Sequence, residues 1–583
     1  MKNGFTLIET LIGIAIFMII SVAIYSSYSN VLSGLILGKL RLTAITVLEN
    51  EIETIRNIPY PDVGTQGGVP SGNLQSQKIV TYVGVPFTVK TTVRNIDDPF
   101  DGTLSGNPND TIPSDYKLVE VEVSCASTCS ILPVTMTTTV APKDIEKLTK
   151  NGALFINVFD ASGSPVSNAN VSITNNLVNP IINLNDTTNA SGSLNFVDIA
   201  TSSGGFHIVV TKSGYSSDQT YPITQANPNP TIPDATVNEQ ELTKISFAID
   251  QLSTVTFKTQ NNMCVAMPNI DFKQTGTKLI GTNPDVLKYS VSSQTDVTGQ
   301  KVVNNLEWDA YNFENLNPTY DITGSNPTMP LAVNPNSAAN LTWTLGPAIP
   351  KSLLVTVFDE DLNLVNDVSV RLTGPGVDQI KLTSRSSFSQ TDWSGVQYTS
   401  QAGNINADSP TGQLTLAKIN GKYATVSQEL ISSTFDMGTS NTTFYTISWN
   451  PIPQPVQAGA DSLKFQIATN NDNATWNFKG PNGNSNTYYT ASDTQLHSSH
   501  NGNRYLRYKV FMKTDNDQYT PTLEDVTIIF HSSCTPDGQI IFNGLPAGTY
   551  DISVSKSGFD TTDDVGISVS NNWQSYEETL YVP

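Results

Sequence analysis

The first 24 residues constrain this chain most. A four-residue polar segment, Met1 to Gly4, leads directly into an apolar stretch from Phe5 to Ile24, whose only charged residue is Glu9. About 20 consecutive apolar residues are enough for a helix with a rise of about 1.5 Å per residue to cross ~30 Å of hydrocarbon. The stretch therefore predicts a membrane-spanning helix with one carboxylate near its start.

This stretch differs from a secretory signal peptide, in which the cleavage site follows the apolar core. A carboxylate inside a membrane span costs roughly 2.5–3.5 kcal/mol at the bilayer centre and less near an interface, so Glu9 calls for an explanation. Residues four apart share one face of a helix, and Phe5 and Glu9 therefore lie on the same side. The simpler alternative is an uncut single-pass anchor with an interfacial glutamate.

The segment Gly4 to Glu9, with the sequence GFTLIE, resembles the processing site of the type IV prepilin family, which includes the pseudopilins of type II secretion. The resemblance implies that a prepilin peptidase cuts between Gly4 and Phe5 and methylates the new Phe5 amine. It also implies that Glu9 pairs with the charged N-terminus of a neighbouring subunit. Its implied partners are other pilins or pseudopilins and an inner-membrane assembly platform.

Length and composition constrain the part of the chain beyond the helix. A chain of 583 residues is expected to form several domains. Its net charge of −21 repels phosphate backbones, which argues against nucleic acid as a partner and against a role in DNA uptake. Only 14% of the residues are charged and 38% are hydrophobic. The remainder is rich in Ser, Thr, Asn, Gly and Pro, which is typical of many short strands joined by turns.

The helical pattern continues beyond the apolar stretch. No proline occurs between Phe5 and Pro59, and the segment from Leu40 to Arg56 is amphipathic, with Ile45, Leu48, Ile52 and Ile55 on one face. Alternating apolar residues between positions 78 and 142 predict antiparallel strands that this face covers. The predicted bounds are 1–4 for the leader, 5–142 for a pilin-like α+β domain, 5–58 for its helix, 5–24 for the membrane span and 78–142 for its sheet.

An acidic loop lies between two of the predicted strands. Its carboxylates are those of Asp97, Asp98, Asp101, Asp110 and Asp115, with Asn107 among them. Clustered hard oxygen ligands suit Ca²⁺, and some pseudopilins carry calcium in the corresponding loop. The spacing matches no EF-hand, and a solvated turn explains the same composition. The chain is otherwise expected to need no cofactor.

The four cysteines are expected to meet an oxidising compartment if the domains after the helix are exported. Cys125 and Cys129 are close enough in sequence to close a small disulfide loop. Cys264 and Cys534 either bridge two domains or stay reduced, and the sequence leaves both alternatives open.

A strand–turn–strand pattern repeats after residue 150. Strands such as Leu154 to Asp160 and Leu353 to Asp359 open a copy, and Gly205 to Tyr215 and Ala547 to Phe559 close one. These copies resemble the carboxypeptidase regulatory-like domain, a small antiparallel β-sandwich. Residues 430 to 531, within an inserted segment, are loosely similar to discoidin or galactose-binding-like jelly rolls. The predicted bounds are 151–250 for the first sandwich, 251–350 for a divergent second, 351–380 with 534–583 for a split third and 381–533 for the inserted jelly-roll-like domain.

The sequence contains no pattern that points to catalysis. His497 and His500 share a polar loop with a spacing unlike that of zinc proteases. Aromatic residues in predicted loops of the inserted segment are candidates for stacking on a surface glycan, although most aromatic side chains pack in cores. These candidates are Trp393, Trp476, Tyr488 and Tyr489.

The predicted fold class is a multidomain protein with an N-terminal transmembrane α-helix and an α+β pilin head, followed by mainly antiparallel β-sandwich domains. The predicted function is that of a minor type IV pilin or pseudopilin-like subunit, without enzyme activity. It spans the cytoplasmic membrane once before assembly and exposes its C-terminal domains at the cell surface or pilus, where they bind a glycan or protein. The alternatives are a non-filamentous display anchor and a polysaccharide-acting enzyme within 381–533, whose acidic residues are too scattered to support it.

Overall fold

The computed structural model describes residues 7–104, 106–110, 112–126, 131–143 and 149–583. These residues form two compact units. One unit comprises Met1–Leu252 with Leu279–Leu287, and the other comprises Ser253–Lys278 with Lys288–Pro583. One long apolar helix precedes many antiparallel-rich sheets, which confirms the predicted fold class. The predicted domain bounds stay predictions.

The first unit begins with a single long helix, α1, at Leu7–Arg56. Its 50 residues extend about 75 Å. Residues 7–39 are all exposed, and the most apolar 18-residue window of α1 has a mean hydropathy of 2.6 with no residue buried. The helix is therefore long and apolar enough to cross a membrane. It ends shortly before Pro59, because the residue before a proline disfavours helical geometry.

The second half of α1 packs on a four-stranded antiparallel sheet of order β1-β2-β3-β4. The strands are β1 Gln77–Tyr82, β2 Val85–Ile96, β3 Tyr116–Cys125 and β4 Val134–Val140. Buried residues of the helix, Ala44, Val47, Leu48, Ile52 and Ile55, join Phe87, Val89 and Val121 in one core. We call this part of the first unit the head.

A two-sheet sandwich follows in the first unit. Its strands are β5 Gly152–Phe159, β6 Asn170–Asn175, β7 Ile182–Thr187, β8 Ser193–Ile199, β9 Ser202–Thr211, β10 Asp218–Gln219, β11 Ala235–Val237 and β12 Leu242–Ala248. One sheet has the order β10-β9-β6-β7 with β11 on β9, and the other has the order β12-β5-β8. The first strand, β5, pairs in parallel with the last, β12.

The second unit opens with another sandwich, of sheets β18-β13-β22-β20 and β17-β14-β19-β21. Again the first strand, β13, and the last, β22, pair in parallel. A hairpin of β15 and β16 interrupts this segment and belongs to the first unit. The strands are β13 Ser253–Gln260, β14 Asp271–Gly276, β15 Leu279–Gly281, β16 Val286–Leu287, β17 Ser290–Gln294, β18 Gln300–Leu306, β19 Asp309–Asn315, β20 Tyr320–Asn326, β21 Leu331–Val333 and β22 Ala338–Pro347.

A third sandwich is built from two stretches that are distant in sequence. Its sheets are β38-β23-β41 and β25-β24-β39-β40, and β23 pairs in parallel with β41. The strands are β23 Ser352–Asp359, β24 Ser369–Gly374, β25 Val377–Leu382, β38 Gln539–Phe542, β39 Gly548–Ser555, β40 Thr562–Val569 and β41 Trp573–Leu580.

Between β25 and β38 the chain forms three further sheets, of orders β26-β37-β32-β34, β27-β30-β35-β31 with β33 on β35, and β28-β29-β36. We call this part the insert. Its strands are β26 Ser386–Gln390, β27 Tyr398–Gln401, β28 Ile405–Asn406, β29 Leu414–Leu416, β30 Gln428–Ser432, β31 Phe435–Asp436, β32 Thr443–Asn450, β33 Leu463–Asn470, β34 Thr494–Gln495, β35 Tyr505–Met512, β36 Thr522–Leu523 and β37 Asp525–His531. Eight of the 24 buried residues of its core are aromatic.

Candidate functional site

The N-terminal helix carries the assembly residues that the sequence predicts. Glu9 lies in the first turn of α1, among exposed apolar residues such as Leu7 and Ile8. Gly4 and Phe5 lie outside the described residues, so the cleavage site and the pairing of Phe5 with Glu9 stay predictions. Since nothing in the described chain covers residues 7–39 of the helix, this surface suits a bilayer or other apolar helices.

The other end of the helix is fixed to the sheet by a buried lysine, Lys117 of β3. Its Nζ donates hydrogen bonds to the carbonyl oxygens of Tyr60 and Val63, at 2.8 and 2.7 Å, in the segment directly after α1. Burial lowers the pKa of this amine. No sequence prediction includes Lys117, although it shares the inward side of β3 with Val119 and Val121. That inward position is the signal that could have identified it.

The head is joined to the first sandwich by a second polar contact. Arg94 of β2 donates three hydrogen bonds to the carboxylate of Asp186, one from Nε at 3.0 Å and one from Nη2 to each carboxylate oxygen at 2.8 Å. Asn183 donates its backbone N–H to the carbonyl oxygen of Gly67 at 2.7 Å. A bidentate arginine–carboxylate pair fixes orientation as well as distance, so the sandwich is held in a defined position on the head.

The acidic loop uses its carboxylates to cap its own backbone. Asp97 accepts from the N–H of Leu104 at 3.0 Å, Asp110 accepts from that of Ile112 at 2.8 Å, and Asp115 accepts from that of Asp98. Burial, followed by repulsion from Asp110, Asp115 and Asp101, raises the pKa of Asp97.

One carboxylate oxygen each of Asp97 and Asp110 is buried and has no partner among the described residues of the loop. Two such oxygens fall short of the six to eight ligands that Ca²⁺ takes. Among the described residues, no group of three or more His, Cys, Asp or Glu side chains has a metal-binding arrangement. Calcium binding by this loop stays a prediction.

The structure resolves the alternative that the sequence leaves open for the two distal cysteines. Cys264, which follows β13, and Cys534, which precedes β38, form a disulfide across a sequence separation of 270 residues. Both residues belong to the second unit. Cys125 ends β3, whereas Cys129 lies outside the described residues, so the predicted bond between those two stays a prediction.

The four candidate ligand-binding aromatics fall into two pairs. Trp393 and Tyr489 are fully buried in the core of the insert, and the Trp393 indole donates to the Tyr508 hydroxyl at 2.7 Å. Core packing therefore accounts for this pair. Trp476 and Tyr488 are half-buried at the surface.

Both surface aromatics are held in place by cations. The Arg507 guanidinium lies 4.2 Å from the centre of the Trp476 ring, and Lys464 Nζ lies 4.0 Å from that of Tyr488. Each of these two rings is thus partly exposed at the surface of the insert and has a cation over it.

His207 and His500 lie in different units of the chain. His500 is buried, and this burial is the main reason that its pKa falls to about 4; its Nε2 has no partner in the described structure. His207 contacts the Asp234 carboxylate at 2.9 Å, and Thr220 donates to the same oxygen at 2.7 Å. The Thr220 hydroxyl also lies 3.3 Å from Nδ1 of His207, so the three side chains form one hydrogen-bonded cluster.

Comparison with protein-family models gives a match at the N-terminus of the chain. Residues 1–25 match a family model described as the prokaryotic N-terminal methylation motif. The chain therefore carries the methylation motif, and a helix suited to a membrane span begins within it. Together the motif and the helix indicate a membrane-anchored protein whose remaining domains are exported.

No curated protein matches the chain. Among solved structures, it is similar to the Bacillus anthracis TIE protein, at 10% identity over 87% of this chain and 73% of that one, with a TM-score of 0.16. It is also similar to a streptococcal ancillary pilin, at 10% identity over 39% and 75% of the two chains, with a TM-score of 0.18. It is similar as well to the minor pilin GBS52 of Streptococcus agalactiae, at 11% identity over 34% of this chain and 96% of that one, with a TM-score of 0.18. TM-scores this low carry no argument about fold or function.

Proposed function

We propose that this protein is a minor type IV pilin or pseudopilin-like subunit that presents β-sandwich domains at the cell surface for binding. The observation that carries the proposal is the division of α1. Residues 7–39 are exposed and apolar, whereas Ala44, Val47 and Leu48 are buried against the head. The N-terminal half of α1 thus has a surface suited to a membrane or a helical bundle, and its C-terminal half packs in the core of the head.

The described contacts support a role in presentation. The hydrogen bonds of Lys117 hold the end of the helix on the sheet, and the pair of Arg94 and Asp186 holds the first sandwich on the head. In this proposal a prepilin peptidase removes residues 1–4 and methylates Phe5. The helix then bundles with other pilins or pseudopilins at an inner-membrane assembly platform. The large exported part favours a sparse or terminal position in a filament, because it would protrude from every repeat of a tightly packed one.

Processing can be tested by mass spectrometry of the intact protein extracted from membranes. In cells that contain the peptidase, we expect a chain that begins at Phe5 and carries one additional methyl group on its N-terminal amine. In cells that lack the peptidase, Met1 should be retained. A chain with Met1 intact in peptidase-containing cells would contradict the processing step.

Binding is assigned to the surface aromatics of the insert, Trp476 and Tyr488. Aromatic rings held at a surface stack on the apolar faces of sugar rings, and each such contact contributes on the order of 1 kcal/mol. On a glycan array, we expect the full chain to bind a glycan. The double variant Trp476→Ala/Tyr488→Ala should lose about tenfold or more in affinity for that glycan. The matched control is Tyr519→Ala, which removes an exposed aromatic side chain elsewhere in the insert. An array on which the double variant binds the glycan as strongly as the Tyr519→Ala control would contradict this assignment.

A further inference from the structure

The second unit contains a cleft of about 1020 Å³, far from the N-terminal helix in sequence. Its walls come from the loop after β13, from strands β20, β22, β25 and β38, and from β26, β32 and β37 of the insert. Cavities of this size hold drug-sized ligands, and they occur preferentially where domains meet.

Most of the cleft surface is apolar. Ile380 and Leu382 of β25 contribute to it and are 63% and 39% exposed. Met263, Phe388 and Ile541 are further apolar residues of the lining. Large aliphatic side chains that remain exposed within a concave surface are a feature of binding sites rather than of ordinary protein surface.

Lys381 follows Ile380 in β25, but its side chain lies on the opposite face of the strand and turns towards β38, where it brings a positive charge to the lining. Its Nζ donates to the carbonyl oxygen of Ile541 at 2.9 Å and lies 5.1 Å from the centre of the Phe542 ring. No carboxylate of the described residues forms an ion pair with it, and burial alone lowers the pKa of its amine. A desolvated ammonium without a counterion gains from the approach of an anion.

A second cation of the lining, Arg385, is partly neutralised. Its Nη2 pairs with the Asp367 carboxylate at 2.7 Å, and its guanidinium lies over the ring of Tyr445. Its Nε is buried without a partner among the described residues. Asp493 is the acidic residue of the lining. The cleft therefore offers Lys381 as a cation that has no counterion among the described residues, whereas Arg385 is already paired.

The walls of the cleft are fixed to one another. The disulfide between Cys264 and Cys534 lies beside the lining residues Met263 and Thr535. Asn262 donates to the carbonyl oxygen of Ser387 at 2.9 Å and so connects the loop after β13 to the insert. Walls that are already in place cost less entropy when a ligand binds.

We propose that this cleft binds a small organic anion, whose charged group pairs with Lys381 and whose apolar body packs against lining residues on the β38 and insert side, such as Ile541, Met263 and Phe388. The size of the cleft, its apolar lining and the uncompensated cation each favour such a ligand over a polymer or a metal ion. The proposal is independent of the N-terminal helix and does not depend on filament assembly.

Fluorine NMR of the full chain in detergent tests the site, with para-trifluoromethylbenzoate as the anionic probe and para-trifluoromethylbenzyl alcohol as its neutral analogue. We expect the benzoate to bind about tenfold more tightly than the alcohol, because a charge-assisted contact is lost in the alcohol. Lys381→Met keeps the apolar stem of the side chain and should lower benzoate affinity about tenfold without changing that of the alcohol. Lys418→Met, which removes a cation elsewhere in the insert, is the matched control and should change neither.

A second variant tests the location without touching either cation. The Ser387 side chain lines the cleft from an exposed position, so Ser387→Trp should fill the space and reduce the binding of both probes. Equal affinity for benzoate and alcohol, or unchanged binding in Lys381→Met, would overturn the proposed anion site. Unchanged binding of both probes in Ser387→Trp would place them elsewhere and also overturn it.

Discussion

Replacing Glu9 with alanine should reduce the amount of this protein in the sheared filament fraction by about 100-fold. If Glu9 pairs with the N-terminal amine of a neighbouring subunit, its removal leaves that amine unpaired in an apolar bundle. Loss of one partner of a buried ion pair costs roughly 3–5 kcal/mol, and each 1.4 kcal/mol corresponds to about a factor of ten in an equilibrium. Immunoblotting of sheared and membrane fractions measures the ratio.

Glu49→Ala is the matched control for this prediction. Glu49 lies on the same helix but is exposed in the half that belongs to the head, so its removal should leave the sheared fraction unchanged. The membrane fraction should contain both variants. Wild-type amounts of Glu9→Ala in the sheared fraction would contradict the pairing and favour a non-filamentous display anchor.

Replacing both Cys264 and Cys534 with serine should lower the free energy of unfolding of the second unit by about 2–5 kcal/mol. The bond closes a loop across a separation of 270 residues, and long loops lose the most entropy in the unfolded chain when they are cross-linked. Denaturant unfolding followed by tryptophan fluorescence isolates this unit, because all 6 tryptophans lie within it.

Val265→Ser provides the control for the disulfide. Val265 is adjacent to Cys264 and 55% exposed, so its replacement should change the free energy of unfolding by no more than about 0.5 kcal/mol. The double cysteine variant should also unfold equally with and without reductant, whereas the natural protein should be weakened by reductant. A double variant as stable as the natural protein would contradict a stabilising function for the bond.

The helix and the head were predictable because their signals are local. The apolar stretch and the amphipathic segment after it predict one continuous helix, and α1 extends through both as far as Arg56. Alternation in β2 and β3 identifies which side chains face the helix, since successive residues of a strand point to opposite faces.

Pairings over long sequence distances were not predictable in the same way. The apolar run in β23 indicates a buried strand, but it does not show that β41, more than 200 residues later, is its parallel neighbour. The disulfide between Cys264 and Cys534 was unpredictable for the same reason, because the spacing of cysteines in a sequence does not determine which of them pair.

The cleft near Lys381 depends on several such long-range pairings at once, and only folding places Ile380, Phe388 and Ile541 around one space. Burial also separated the aromatic candidates: nothing local distinguishes the core residue Trp393 from the surface residue Trp476.

The parallel pairing of first and last strands determines how each sandwich responds to mechanical load. In a parallel pair, the chain enters at one end of the module and leaves at the other. A pull on both ends therefore shears β5 against β12 across seven paired residues, from Ala153 with Leu242 to Phe159 with Ala248. The pair β13 and β22 also has seven. Because these bonds must break together rather than one after another, both modules should transmit tension between a membrane anchor and a distal attachment without unravelling.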